Sequence, residues 1–142
     1  MSTKPVKFLV LLVLGIFVLP LLAACSGGGR EITVTETEDY HMNLSSDTAK
    51  AGDITFHVKN DATTLTHEFV VVKTDLPSGQ LPLDSEGNVN EDQMGEDMGE
   101  AEDLEPGATK DLTVNLTPGH YVLMCNVEGH YQQGMHTDFT VE

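Results

Sequence analysis

Short segments in which apolar and polar residues alternate recur along the chain, separated by turn residues such as Gly, Pro, Asn and Asp. In one of them Ile54, Phe56 and Val58 alternate with polar side chains, and this period of two indicates a strand with one buried face. Residues 67–72 are apolar at nearly every position, which favours a central strand. About seven such strands and no convincing helix predict an antiparallel sandwich or barrel. The other candidate strands lie within residues 32–44, 112–116, 121–125 and 137–141.

The first 25 residues have the layout of a secretory signal peptide. Two lysines precede an apolar run at residues 8–22, and the sequence Leu-Ala-Ala-Cys ends at Cys25. A basic start, an apolar middle and small residues before the cleavage point are typical of such peptides. The ending resembles the lipobox of prokaryotic lipoproteins, which implies that residues 1–24 are a lipoprotein signal peptide and that Cys25 carries the lipid.

An uncleaved anchor helix is the alternative interpretation of this leader. Gly15 and Pro20 interrupt the apolar run, which is shorter than the roughly 20 residues that a helix needs to span a bilayer. Both interpretations place the rest of the chain outside the cytoplasm, in the periplasm or at the cell surface, and attach it to a membrane. Residues 25–31, rich in glycine, are then expected to form a flexible tether, and residues 32–142 the folded domain.

The domain is strongly acidic. The formal net charge of the chain is −16, and all 23 acidic residues follow the leader. This charge disfavours nucleic acid and anionic lipid surfaces as partners, whereas basic proteins remain compatible with it. Residues 84–105 contain acidic residues and no Lys or Arg, with three glycines among them. We therefore expect a long, solvated acidic loop inserted into the domain at about 84–105.

One loop near the end of the chain combines three ligand types for a soft metal. Cys125, His130 and Met135 are spaced as C-x4-H-x4-M between two predicted strands. A thiolate, an imidazole and a thioether suit copper better than zinc, calcium or magnesium, and blue-copper sites use two His, one Cys and a weak axial Met. If Cys25 is lipidated, Cys125 has no disulfide partner, and metal binding is a reason to keep an unpaired cysteine outside the cell.

The second histidine of such a site must come from another part of the chain. His67 shares a face of its predicted strand with Phe69 and Val71, so it is expected to point inward, towards the face that carries Cys125. This alternation favours His67 without proving it. His136 stays open as a spare ligand or as a surface residue that begins the last strand. The other histidines are at positions 41, 57 and 120.

Four segments of the sequence resemble the plastocyanin and azurin type of cupredoxin, and the loop spacing is most similar to that of rusticyanin and auracyanin. The resemblance implies a Greek-key β-sandwich with one type 1 copper ion per chain. One departure is Glu68, which stands where many members have an Asn that steadies the site around the thiolate. The segments are 66–71, 104–107, 118–121 and 125–135, and the implied copper ligands are His67, Cys125, His130 and Met135.

The resemblance also implies a function, which is to carry single electrons between membrane-associated redox proteins, as a monomer and not as an enzyme. His130 is then the expected exit for the electron, with Tyr131 and Val127 in the docking patch around it. The alternative is a protein that carries or buffers copper outside the cytoplasm. Met94 and Met98 in the acidic segment favour that alternative, because thioether sulfur suits Cu(I).

Overall fold

The computed structural model describes Met1 and residues 30–142. The predicted signal peptide, Cys25 and most of the predicted tether lie outside the described residues. Strand β1 begins at Arg30, two residues before the expected start of the domain. The strands are β1 (Arg30–Glu36), β2 (Met42–Leu44), β3 (Thr48–Ala49), β4 (Gly52–Asn60), β5 (His67–Lys73), β6 (Glu96–Leu104), β7 (Thr109–Leu116), β8 (Gly119–Met124) and β9 (His136–Val141).

These strands form two sheets that pack face to face. One has the order β2-β1-β4-β7 and the other the order β3-β9-β8-β5-β6. Most neighbours are antiparallel, but β1 pairs with β4, and β3 with β9, in parallel. Neighbours such as β5 and β8 are far apart in the sequence, because the chain crosses between the sheets as Greek-key connections require. The predicted Greek-key β-sandwich is confirmed.

The core between the sheets follows the alternation in the sequence. Phe56 of β4 contacts Phe69 of β5 and Phe139 of β9, with ring centroids 5.2 and 5.5 Å apart. Val71 and Leu123 are fully buried in the same cluster, so the faces expected to point inward do so. Two short 3₁₀ helices, Ser78–Gln80 and Tyr131–Gln133, complete the regular structure of the described residues. None of the described helices has the length and apolar character needed to cross a bilayer.

The acidic stretch at 84–105 differs from the solvated loop that the composition predicts. Its second half is β6, an edge strand paired with β5, whose residues Ala101 and Leu104 are buried in the core. The register of this pair shifts twice, so the inward residues of β6 do not follow a period of two. Acidic side chains on the outer positions suit an exposed sheet edge, because they oppose pairing with other chains. The prediction of a loop is therefore wrong for Glu96–Leu104.

The connection from β5 to β6, residues 74–95, covers the outer face of the five-stranded sheet. We call it the cover segment. Its apolar side chains pack on outward-facing residues of β5 and β8 in a second hydrophobic cluster. This cluster gives the outer face of the sheet a buried layer of its own. Its members are Val70, Val72, Leu81, Val89, Met94, Val122, Met124 and Tyr131.

Candidate metal centre

The three residues of the C-x4-H-x4-M spacing lie on the loop that joins β8 to β9. Cys125 directly follows β8, and Met135 directly precedes β9. The antiparallel register places Val70 of β5 opposite Met124, which brings His67, at the start of β5, to the same end of the sandwich. The structure therefore brings together all four residues that the sequence analysis singled out.

Three donor atoms converge inside the protein. Nδ1 of His67 lies 3.2 Å from Nδ1 of His130, which in turn lies 3.4 Å from Sγ of Cys125. All three residues are buried, and their donor atoms lie within 4.8 Å of one another. Three donors that share a first-row metal in a trigonal plane lie about 3.5 to 4 Å apart, since each sits about 2.0 to 2.3 Å from the ion. The observed spacing is therefore close to that of a loaded site.

Met135 closes the loop on itself. Its carbonyl oxygen accepts a hydrogen bond from the backbone N–H of Cys125 at 3.0 Å, and its own N–H donates to the carbonyl oxygen of His130 at 3.1 Å. The Met135 side chain is fully buried. These two bonds hold the backbone of three candidate ligands in one compact turn.

A backbone carbonyl orients His67. Nε2 of this ring lies 3.1 Å from the carbonyl oxygen of Thr37, which follows β1. A carbonyl can only accept, so Nε2 carries the proton and Nδ1 keeps its lone pair for a metal. Because the contact involves the main chain of Thr37, no side-chain pattern in the sequence could predict it.

Burial sets the protonation of the donor groups. It lowers the pKa of His67, to which the nearby His130 also contributes, and it lowers the pKa of His130. Both imidazoles are therefore neutral near pH 7 and able to ligate. Burial also raises the pKa of the Cys125 thiol to about 12, so without a metal this sulfur keeps its proton. A metal must displace that proton to bind the thiolate.

Backbone N–H groups donate the hydrogen bonds to the Cys125 sulfur that an ionised Glu68 side chain cannot donate. The N–H of Glu68 points to Sγ of Cys125 at 3.3 Å, and the N–H of Val127 also hydrogen-bonds this sulfur. The side chain of Glu68 lies instead with Glu100 and Glu102 of β6, where the three carboxylates come within 4.8 Å of one another. The departure from Asn at position 68 therefore leaves the thiolate with main-chain donors.

The Tyr40 ring covers His130. It meets the His130 ring edge-on, with centroids 5.0 Å apart, and His130 is only 7% exposed. Tyr40 has a φ of 61°, an uncommon value for a bulky residue, which marks a turn under strain. The turn between β1 and β2 thus contacts both histidines, His67 through Thr37 and His130 through Tyr40. Sequence reasoning missed both contacts.

Glu36 is a buried acid close to the site. It is fully buried at the end of β1, and neither carboxylate oxygen has a hydrogen-bond partner among the residues that the structure describes. Burial, assisted by the charge of Glu68, raises its pKa to about 8. This carboxyl is therefore mostly protonated at neutral pH.

The other residues that the sequence suggested for a role at the site pack elsewhere in the protein. His136 packs against the ring of Tyr131, with centroids 4.7 Å apart and the two rings tilted by 40°, and it is not among the converging donors. Tyr131 is buried, and its hydroxyl bonds to the cover segment, so its expected place in a surface docking patch is wrong. Met94 packs in the outer hydrophobic cluster and Met98 against the inner core, so their sulfurs belong to two different packing layers.

This donor set suits copper in particular. Two neutral imidazoles, one thiol and a buried thioether are the combination of a mononuclear blue-copper site, whereas calcium and magnesium prefer oxygen. Only one cluster of this composition is present in the part of the chain that the structure describes. The site fits one type 1 copper ion per chain.

Solved structures share the fold. Auracyanin from the photosynthetic bacterium Roseiflexus castenholzii, in its dithionite-reduced form, is 23% identical with a TM-score of 0.62, and the match covers 82% of this chain and 99% of that one. Auracyanin A from Chloroflexus aurantiacus, described as a blue copper protein, is 20% identical with a TM-score of 0.58, covering 81% and 100%. Reduced rusticyanin is 18% identical with a TM-score of 0.57, covering 82% and 81%.

The family follows from the sequence itself. No curated protein sequence matches the chain significantly. The family model of the sulfocyanin (SoxE) domain, however, matches residues 18–142, which is most of the chain and includes all four predicted copper ligands. The predicted resemblance to cupredoxins of the auracyanin and rusticyanin type is confirmed. The chain belongs to the sulfocyanin (SoxE) domain family and has the cupredoxin fold.

Proposed function

We propose that this protein carries single electrons outside the cytoplasm, through a type 1 copper held by His67, Cys125, His130 and Met135. The observation that carries the proposal is the convergence of the Cys125 sulfur with the two histidine Nδ1 atoms in a buried site. When bound, copper supplies a one-electron couple between Cu(I) and Cu(II). A carrier of this kind is not an enzyme, since it takes up and passes on an electron without making or breaking bonds in a substrate.

The protein part keeps the ligands in place in both oxidation states. The Thr37 carbonyl holds the His67 ring, and main-chain bonds between Cys125, His130 and Met135 hold the loop. Main-chain N–H groups directed at the Cys125 sulfur stabilise its negative charge. Ligands held in this way need little rearrangement when the charge of the site changes, and a small rearrangement favours rapid electron transfer.

His130 and Tyr40 form the route to the surface in this proposal. We call residues 125–135, which join β8 to β9, the ligand loop. Among its candidate ligands His130 lies nearest to solvent, and the half-buried Tyr40 ring covers its edge. A partner redox protein would approach this end of the sandwich. The acidic surface favours a basic partner and opposes nucleic acid, in keeping with the net charge of −16.

The leader supports a place for the protein at a membrane. In the proposal, residues 1–24 are removed, Cys25 is lipidated, and the monomeric domain works in the periplasm or at the cell surface beside membrane-associated donors and acceptors. The motif that ends at Cys25 supports an extracytoplasmic location. A tethered carrier of this kind meets its partners in two dimensions, which raises their effective concentration.

Copper carriage is the rival function. The side chains that would bind copper for this function pack against other groups, which argues against it. Met94 is 2% exposed and Met98 packs against the inner core, so neither offers a free thioether to passing Cu(I). His136 lies against an aromatic ring. The buried position of the four proposed ligands also opposes fast release of the ion.

A redox titration of the purified protein with one equivalent of Cu(II) separates the two functions. Electron carriage predicts one copper per chain, an intense visible colour that bleaches on reduction, and full return on reoxidation over many cycles. A colourless complex, more than one copper per chain, or loss of the metal upon reduction to Cu(I) contradicts the proposal. The His57→Ala variant is a matched control, because His57 lies away from the site and binds Asp111.

A further inference from the structure

Three residues that directly follow the proposed ligands contact the cover segment, residues 74–95. Asn126 follows Cys125, Tyr131 follows His130, and His136 follows Met135. Each of them turns its side chain away from the donor cluster and towards that segment. The ligand loop is therefore held between the donor cluster on one side and the cover segment on the other.

Asn126 is paired with the backbone of one cover residue. Its Oδ1 accepts from the N–H of Val89 at 2.8 Å, and its Nδ2 donates to the carbonyl oxygen of Val89 at 3.2 Å. The amide thus makes the two bonds that a neighbouring strand would make. Val89 is itself 2% exposed and anchored in the outer hydrophobic cluster, so the partner of Asn126 is fixed.

Tyr131 makes a second connection. Its hydroxyl donates to the carbonyl oxygen of Ser78 and accepts from the N–H of Leu81 at 3.0 Å. Its ring lies in the same hydrophobic cluster as Leu81. Close by, Gln132 donates from Nε2 to the carbonyl oxygen of Gly87 at 2.7 Å. The His136 ring fits against Gly79, where an added Cβ would lie 3.3 Å from its Cε1.

We propose that Asn126 and Tyr131 are positioning residues, through which the cover segment holds the ligand loop in its copper-binding arrangement before the metal arrives. The inference rests on the proposed function, because it explains how that loop is kept ready for copper and kept still during electron transfer. It gives the cover segment a role beyond shielding one face of the sheet. Loss of either connection frees the loop backbone while leaving all four ligands in the chain.

Tyr131→Phe is the sharpest test, and Tyr121→Phe is its matched control. Both changes delete one buried hydroxyl that bonds a backbone carbonyl, but Tyr121 bonds Thr117, at the far end of β8 from the ligand loop. If the Tyr131 hydroxyl had only a structural role, Tyr131→Phe and Tyr121→Phe would lose similar stability and would not differ in the ligand loop. A positioning role predicts that only Tyr131→Phe changes the ligand loop. Asn126→Ala provides a second, independent variant.

Two readouts are measured on the wild type and the three variants. The first is amide hydrogen exchange in residues 126–134 of the copper-free protein, and the second is the rate at which a chelator in excess removes Cu(II). We expect both to be about tenfold faster in Tyr131→Phe and Asn126→Ala, because one net hydrogen bond is worth roughly a factor of ten. Tyr121→Phe is expected to match the wild type in both.

Equal rates in Tyr131→Phe and Tyr121→Phe, in either readout, would overturn the inference. The outcome is separable from failure of the proposed function, because hydrogen exchange is measured without copper. A wild-type protein with no blue Cu(II) form contradicts electron carriage, and the exchange data then still decide whether the cover segment holds the loop.

Discussion

The backbone N–H of Glu68 points at the sulfur of Cys125, 3.3 Å away, while the Glu68 side chain lies beside Glu100 and Glu102 of β6. Residue 68 therefore serves the site through its main chain. This separates the hydrogen bond to the thiolate from the identity of the side chain, and it explains how a carboxylate is tolerated next to His67.

We predict that Glu68→Gln keeps the blue colour of the Cu(II) protein at near wild-type intensity. The main-chain donor to Cys125 stays, and the side chain that changes faces Glu100 and Glu102. The check is the visible spectrum of both proteins at equal copper content. A colourless Glu68→Gln protein that is folded by circular dichroism would mean that the side chain itself organises the site.

We predict that Met135→Leu keeps copper and colour but raises the reduction potential. Loss of a weak axial sulfur disfavours Cu(II) more than Cu(I), and the leucine fills the buried space of similar volume. A spectroelectrochemical titration measures the effect. His136→Ala is the control, since this ring is outside the donor cluster, and a loss of colour there would identify His136 as a ligand.

Glu36 is predicted to make the copper-free protein less stable as the pH rises. Burial raises its pKa to about 8 from an ordinary value of 4.5. Below pH 4.5 the folded and unfolded chains both hold the proton, and between pH 4.5 and 8 the unfolded chain loses it first. The free energy of unfolding therefore falls across this window, by about 1.4 kcal/mol for each unit of the pKa difference.

Urea unfolding of wild type and Glu36→Gln at pH 5 and pH 8 tests this account. The variant is expected to lose less stability between the two pH values than the wild type. Part of the pH dependence remains, because burial also raises the pKa of Glu68, to about 7, with the same sign. Identical pH dependence in the two proteins would show that Glu36 ionises as freely in the fold as in the unfolded chain.

Cys25→Ser is predicted to move the protein from the membrane to the soluble fraction or to leave an unprocessed precursor. The reason is the lipobox-like ending of the leader, and firm anchoring would need two or more lipid chains at this residue. Membrane fractionation and the mass of the mature protein provide the measurement. Wild-type protein that is soluble and cleaved at another position would contradict the lipid anchor.

The sequence predicted the parts of this protein that depend on local spacing. The ligand loop spans few residues, and the inward faces of β5 and β8 follow simple alternation, so His67 and Cys125 were expected to meet. Strand β6 escaped prediction because two register shifts break its alternation. The contact between Thr37 and His67 escaped for another reason, since a carbonyl group is common to every residue and only the fold brings it to the ring.

The visible spectrum of the Cu(II)-loaded protein, compared with that of Cys125→Ser, tests the central claim most directly. A copper–thiolate bond in a site with two histidines predicts an intense blue absorption in the wild type, at one copper per chain, and none in the serine variant. His130→Ala is expected to weaken or distort the band. A wild type that binds Cu(II) without the blue band, or a Cys125→Ser protein that stays blue, would contradict the account.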